Sequence, residues 1–367
     1  MKPASLYKFL NLFILFVCLS PDLLFSQGVQ KEILKNFEIG PRGQVSVIHK
    51  NGDIKIQLWD NHRVMVKAVI IVKGNDQVLA RSLFENVEVD VTRRGNKLEL
   101  KTNTGNFDDK NPGSENNPIL AGKTDKYRMD YIITMPRDAS LLVNQQFGDL
   151  YMDEFQSPVS LVLSHGKVNI REIKGTADFN FNYITGSIQR LNQAYLEANR
   201  SNLHVNRANH LNIYSAYSEF QIDKADSLIS SHKHNEFDIS DVAYLKMDEE
   251  YSEVKVANLS EKGDLSLNYG DVDIKGFTPN LTNLNLFGEL TDFKIATGNK
   301  SSYEVDIDSK ETKFHLPQDL VITKQSPSAP AFNSHTRLQG VKEVKNLPQK
   351  TKPKIVIVTK DGQVILQ

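Results

Sequence analysis

Over residues 141–292, apolar and polar side chains alternate in short runs, and a small residue interrupts the alternation at a nearly constant interval. Alternation at every second position marks a strand with one face buried and the other in water. The interruptions read Phe147-Gly148-Asp149, His165-Gly166-Lys167, Thr185-Gly186-Ser187, Arg200-Ser201-Asn202, Tyr217-Ser218-Glu219, His234-Asn235-Glu236, Tyr251-Ser252-Glu253, Tyr269-Gly270-Asp271 and Phe287-Gly288-Glu289. Their central residues lie 18, 20, 15, 17, 17, 17, 18 and 18 positions apart. The flanks keep the same register. Two residues after each centre stand Leu150, Val168, Ile188, Leu203, Phe220, Phe237, Val254, Val272 and Leu290. Two residues further on, most rungs repeat the choice, as in Val205, Ile222, Ile239 and Val256.

One such rung buries little by itself, whereas stacked rungs make the apolar columns continuous. The expected fold is therefore all-β, a right-handed parallel β-helix or β-solenoid with a repeat of about 17 residues. Gly, Ser or Asn at the centre suits a tight bend at positive φ. An antiparallel sandwich would alternate long and short connections and keep no columns.

The same signature opens the array: Val45 and Val47, then Asn51-Gly52-Asp53, then Ile54 and Ile56. Between it and the main repeat, the pattern predicts strands over 64–72, 87–91, 97–101 and 127–135. It also predicts a helix over 76–84 capped by Asp76, and a polar loop over 103–125. The resulting organisation is a signal peptide (1–26), a first rung with a capping insertion (37–140) and the repeats (141–320). A polar proline-containing linker (321–353) follows, and then a C-terminal hairpin (354–367) around Lys360-Asp361-Gly362.

Composition changes this picture mainly at the N-terminus. Lys2 and Lys8 flank the start of an apolar run over 9–19, Ser20-Pro21-Asp22 breaks it, and Ser26 precedes Gln27 as a cleavage point. Eleven residues fall short of the roughly 20 that span a bilayer as a helix. The expected location is therefore the periplasm or cell surface, with no transmembrane segment in the mature chain. The single cysteine, Cys18, lies inside the run after Val17, where a lipoprotein would carry a small residue. Cleavage after Ser26 leaves no cysteine, and so neither disulfides nor thiolate metal sites. The net charge of −1 becomes −2 without residues 1–26, with 42 basic against 44 acidic residues. That balance gives no reason to expect nucleic acid.

Gly52-Asp53-Ile54 with Trp59 after it, a helix-bearing insertion, a strand ending Met135-Pro136 and recurrent aromatic–Gly–Asp turns together carry a resemblance. On these features residues 37–320 resemble the bacterial putative-adhesin domain family, exported β-solenoids of the cell envelope. The resemblance implies an adhesin-like or structural role without enzymatic activity. Its motifs are turns, so it speaks to fold far more than to activity.

Catalytic signatures are missing from the sequence: no Gly-x-Ser-x-Gly elbow, no His-Glu-x-x-His, no phosphate loop and no dinucleotide fingerprint. His232 and His234 share a strand face without a third ligand in register, and the loop 108–113 lacks the spacing of a calcium loop. No cofactor and no metal is expected. Two columns remain as ligand-binding candidates. The residues before the turn centres include Phe147, Tyr217, Tyr251, Tyr269 and Phe287; exposed, they could stack on sugar rings, and tucked in they pack as a ladder. The residues after the centres include Glu219, Glu236, Glu253, Asp271 and Glu289. Carboxylates about 5 Å apart repel by roughly 0.8 kcal/mol in water. Such a column is tolerable if each carboxylate accepts N–H bonds at its own turn, and it also suits a divalent cation or a basic partner. The expected function is a non-enzymatic envelope protein whose partner is another envelope protein or a polysaccharide. The alternatives are an accessory of envelope-stress signalling, with the tail after Pro353 docking on a partner, and a polysaccharide-acting β-helix enzyme.

Overall fold

Alternation becomes stacking because each rung saturates its backbone on its neighbours. The structure is a computed structural model that describes residues 29–73, 76–103, 127–298, 301–326, 335–344 and 352–367. The signal segment 1–26 with Cys18, and the loop 108–113, lie outside the described residues. Asn202–Ala216, Glu219–Lys233 and Glu236–Glu250 run parallel, each paired with the next at an offset of 17 residues. Val205, Ile222, Ile239 and Val256 thereby form one fully buried column. In the column beside it, Phe220 and Phe237 stack with ring centroids 5.0 Å apart. Each fully buried Val, Ile or Phe contributes about 1.5–3 kcal/mol.

The parallel stack extends in both directions. Ser140–Gln146 and Leu150–Phe155 pair with Val159–Asn199, and Glu253–Ile274 pairs with Asn283–Ile295. The opening rung joins it, with Gln44–Lys50 on Ser140–Gln146 and Ile54–Ile56 on Leu150–Met152. The described residues hold 21 strands in one sheet and a single helix, Gln77–Asn86. Asp76 caps that helix, its carboxylate accepting the Leu79 N–H at 2.9 Å. No helix among the described residues is long and apolar enough to cross a membrane.

The sheet is mixed, which corrects the expectation of a purely parallel arrangement. At the N-terminal end, Val29–Glu38 lies antiparallel to Arg63–Val72, which lies antiparallel to Tyr127–Pro136. Glu88–Arg94 is likewise antiparallel to Lys97–Asn103. Of these, only the pair Glu88–Arg94 and Lys97–Asn103 is a short-loop hairpin. Lys97–Asn103 and Tyr127–Pro136 lie parallel on the first rung, and the antiparallel strands extend the sheet beyond them.

The C-terminal part departs further from expectation. The stretch read as a linker holds two strands, Val321–Ser326 and His335–Lys342, antiparallel to one another, and the second is antiparallel to Tyr303–Lys310. Lys354–Lys360 and Gln363–Leu366 do not form a hairpin. They make one further parallel rung, inserted between Asn283–Ile295 and the segment containing Tyr303–Lys310 and Lys313–His315. Ile355, Ile357, Val364 and Leu366 fill its inward positions.

Register also corrects two turns. Gly186 pairs with Leu203, so the turn of that rung falls at Tyr183-Ile184. Gly270 pairs with Thr291, so the last turn falls at Leu290-Thr291 rather than at Phe287-Gly288. The positive φ itself sits on the residue before each centre, from 48° to 58° at Phe147, His165, Tyr183, Arg200, Tyr217, His234, Tyr251 and Tyr269. At Gly148 and Gly166 the reason for glycine is close approach: an added Cβ would lie 1.9 and 2.0 Å from a carbonyl oxygen of the preceding rung.

Ile239→Asp places an unpaired charge in a fully buried column. We expect it to cost several kcal/mol or to abolish folding. Urea unfolding followed by circular dichroism checks this, and a near-wild-type midpoint would refute the inward column.

Candidate functional site

The positive-φ residues form a ladder along one line of turns. Phe147 and His165 have ring centroids 5.0 Å apart, and His165 and Tyr183 4.8 Å. The Arg200 guanidinium lies 5.6 Å from the Tyr183 ring and 5.3 Å from the Tyr217 ring, bridging the two as a cation between π faces. Tyr217–His234, His234–Tyr251 and Tyr251–Tyr269 continue at 4.6, 5.0 and 4.8 Å with nearly parallel planes. A left-handed non-glycine residue costs about 1–2 kcal/mol, and a stacked pair returns about 0.5–1.5 kcal/mol. The ladder therefore offsets much of the strain of its own turns.

This arrangement combines the two readings of the aromatic column. Tyr217, Tyr251 and Tyr269 are 46–52% exposed, yet they are packed face to face with their neighbours. A sugar ring arriving along the ladder would meet ring edges and hydroxyls, since the interior faces are already covered. Phe287 is not a member: it pairs with Ser266, and Leu290 takes the turn position. His165, Arg200 and His234 belong to the ladder although the sequence reading gave the column to aromatics alone. Tyr183 was hidden by the misplaced turn at Gly186; its signal is the spacing, 18 residues after His165 and 17 before Arg200. His232 leaves His234 and packs its ring on Tyr214, centroids 4.6 Å apart, so the two histidines do not converge.

The acidic column lies two residues further on. Glu219, Glu236 and Glu253 are direct register partners, and the Asp271 N–H donates to the Ser252 carbonyl, which places Asp271 next in line. Asp292 continues the column opposite Asp271, whereas Glu289 pairs with Asn268 and meets the Lys360 ammonium at 2.6 Å. Charge relief comes from within the chain: Lys255 Nζ is 2.6 Å from Glu253 and 3.7 Å from Glu236. Burial, and then the charges of Asp292 and Glu253, push the Asp271 carboxyl above its usual range. Elsewhere carboxylates bridge rungs instead of closing their own turn: Asp53 accepts the Asp149 N–H and Asp149 accepts the Lys167 N–H, each at 2.9 Å.

Beneath the ladder runs a buried polar column that the sequence reading did not single out. The Ser201 N–H donates to Ser218 Oγ at 3.2 Å, the Ser218 N–H to Asn235 Oδ1 at 3.2 Å, and the Asn235 N–H to Ser252 Oγ at 3.0 Å. Glu249, 1% exposed, sits against it. Its carboxyl accepts from Ser230 Oγ at 2.6 Å, Asn235 Nδ2 at 2.9 Å and Ser252 Oγ at 3.1 Å. Desolvation outweighs these bonds and pushes its pKa up. Glu249 is an inward position of a strand, and nothing in the alternation marks which inward residue carries a charge.

Two expectations follow. Because the folded-state pKa of Glu249 is raised, stability falls as pH rises from the unfolded value of about 4.5 toward the folded value, and stays lower above it. Glu249→Gln should therefore stabilise the chain at neutral pH and make no difference below pH of about 4; melting curves across pH check this. Lys255 already spans Glu236 and Glu253, so the melting temperature should be the same in calcium as in chelator at fixed ionic strength. A rise in calcium, abolished by Glu236→Gln with Glu253→Gln, would show that the column holds the ion.

No protein-family model and no curated protein matches the sequence. Among solved structures, a putative cell adhesion protein from Clostridium sporogenes aligns over 92% of this chain and 99% of its own, at 10% identity and a TM-score of 0.18. At that score the alignment carries no argument about topology or role.

Proposed function

We propose that the chain is an exported cell-envelope protein whose stacked rungs form a right-handed β-solenoid with an adhesin-like binding role and no enzymatic activity. The observation that carries this reading is the turn line itself. From Phe147 to Tyr269 it presents rings, with the Arg200 guanidinium at one rung, flanked over Glu219 to Asp271 by carboxylates in register. Such a strip repeats at the rung spacing of about 4.8 Å, and its stacked rings are held rigidly. A rigid strip loses little conformational entropy when a partner is laid along it. The partner is an envelope protein or polysaccharide.

The signalling alternative rested on a tail after Pro353 that is free to dock. Lys354–Lys360 and Gln363–Leu366 are instead paired on both sides within the chain's own sheet, so that reading has lost its motive. The apolar N-terminal run and Ser26-Gln27 support export.

Mass spectrometry of the mature protein should find an N-terminus at or near Gln27; a diacylglyceryl-modified Cys18 would replace secretion with membrane anchoring. Labelled mature protein should be retained saturably on isolated envelope material and release no sugar from a glycan panel. Absence of saturable retention would refute the binding role, and release of sugar would favour the enzyme.

A further inference from the structure

The first rung ends in a recess that none of the columns uses. Ile54–Trp59 runs parallel to the end of Tyr127–Pro136, which sets Trp59 opposite Pro136. Two adjoining depressions open at this point and share Asp60, Arg137 and Asp138. One reaches Trp59 and Pro136, and the other reaches Arg42 and Gln156. Trp59 is half-buried, and its indole N–H donates to the Arg63 carbonyl at 2.8 Å, which fixes the edge of the ring. Arg137 Nε lies 2.9 Å from Asp60 Oδ1. Arg42 holds a left-handed backbone at φ 54°, and its N–H donates to Asp138 Oδ2 at 2.9 Å. That bond ties the turn carrying Arg42 to the lip of the depression.

We propose that this recess binds a neutral pyranose unit of an envelope glycan. The half-buried Trp59 indole, backed by the buried Pro136, supplies an apolar surface suited to the C–H face of a sugar ring. Around it stand carboxylates that only accept, guanidiniums that only donate, and the Gln156 amide that does both, which is the mixture vicinal hydroxyls require. Two arginines and two aspartates line the recess, so their formal charges balance and do not select an ionic ligand. The Arg137–Asp60 pair and the bond from the Arg42 backbone N–H to Asp138 hold these three side chains in place before the ligand arrives, which lowers the cost of binding. The inference rests on the binding role proposed above and names the ligand class of a site separate from the turn ladder.

Trp59 is the one tryptophan of the chain, so its emission reports on this recess directly. The mature protein is titrated with neutral gluco-, manno-, galacto- and N-acetylglucosamine oligosaccharides. At least one should produce a saturable change in emission, confirmed by calorimetry. Gln156→Ala, an exposed rim change, should leave the melting curve unchanged and weaken that ligand about fivefold, the loss of one hydrogen bond. Trp59→Phe should weaken it in calorimetry as well. Emission indifferent to every neutral oligosaccharide up to its solubility limit overturns the assignment, as does a response confined to acidic glycans. Retention on envelope material with an indifferent Trp59 refutes the recess alone, while loss of both refutes the binding role itself.

Discussion

Every rung must pair its backbone with the rung on either side at the same offset, and the rest of the molecule follows from that constraint. Side chains on a strand alternate faces, so a slip of one residue would turn Val205, Ile222, Ile239 and Val256 outward together. Register is therefore held by the whole apolar column. The chain has to turn at the same place in each rung for pairing to resume, and a left-handed residue there accomplishes this. Where rung length changes, the irregularity is absorbed away from the turn line: at the register shift between Val242 and Tyr244, and around Phe277, which makes an isolated bridge to Leu259.

A stack built this way has two ends, and unpaired strands at either end would invite pairing with another chain. At the N-terminal end Lys97–Asn103 and Tyr127–Pro136 lie parallel on the first rung, and antiparallel strands continue the sheet beyond them. Lys31 and Lys35 of Val29–Glu38 donate to the carbonyls of Phe84 and Val89, tying that strand to the last turn of the helix and to the strand after it. At the other end the chain first leaves the stack, builds Tyr303–Lys310 and its antiparallel partners, and then returns to fill the rung it had skipped. The mixed sheet is the consequence of finishing a parallel stack at both ends.

The turn line brings three kinds of chemistry within a few residues of each other. Stacked rings occupy the left-handed position, hydroxyls and an amide occupy the buried position after it, and carboxylates the position after that. The interior is otherwise aliphatic, which makes its polar groups costly. Glu249 is pushed up by burial, and burial drives His49 down to about 4 although its Nδ1 lies 2.7 Å from the Thr102 hydroxyl. Both shifts favour the neutral form, as expected where water is excluded.

Period and alternation were legible in the sequence because they are local. Ile222, Ile239 and Val256 could be placed in one inward column from spacing, Asp76 as a cap from its position before the apolar-periodic run, and the Gly52 turn as an opening rung from its flanks. Glu219, Glu236, Glu253 and Asp271 could be aligned for the same reason. The tertiary structure decided what local pattern leaves open. Gly186 and Gly288 look like turns by residue type, but backbone pairing put the turns at Ile184 and Thr291. His165, Arg200 and His234 became ladder members because stacking needs a planar group and not only a hydrocarbon ring. Lys354–Lys360 and Gln363–Leu366 read as a hairpin from their short connection, yet each found a better partner far away in sequence. Spacing along the chain determines which residues share a face; which backbone lies beside which depends on saturating every strand edge, a condition only the whole stack can satisfy.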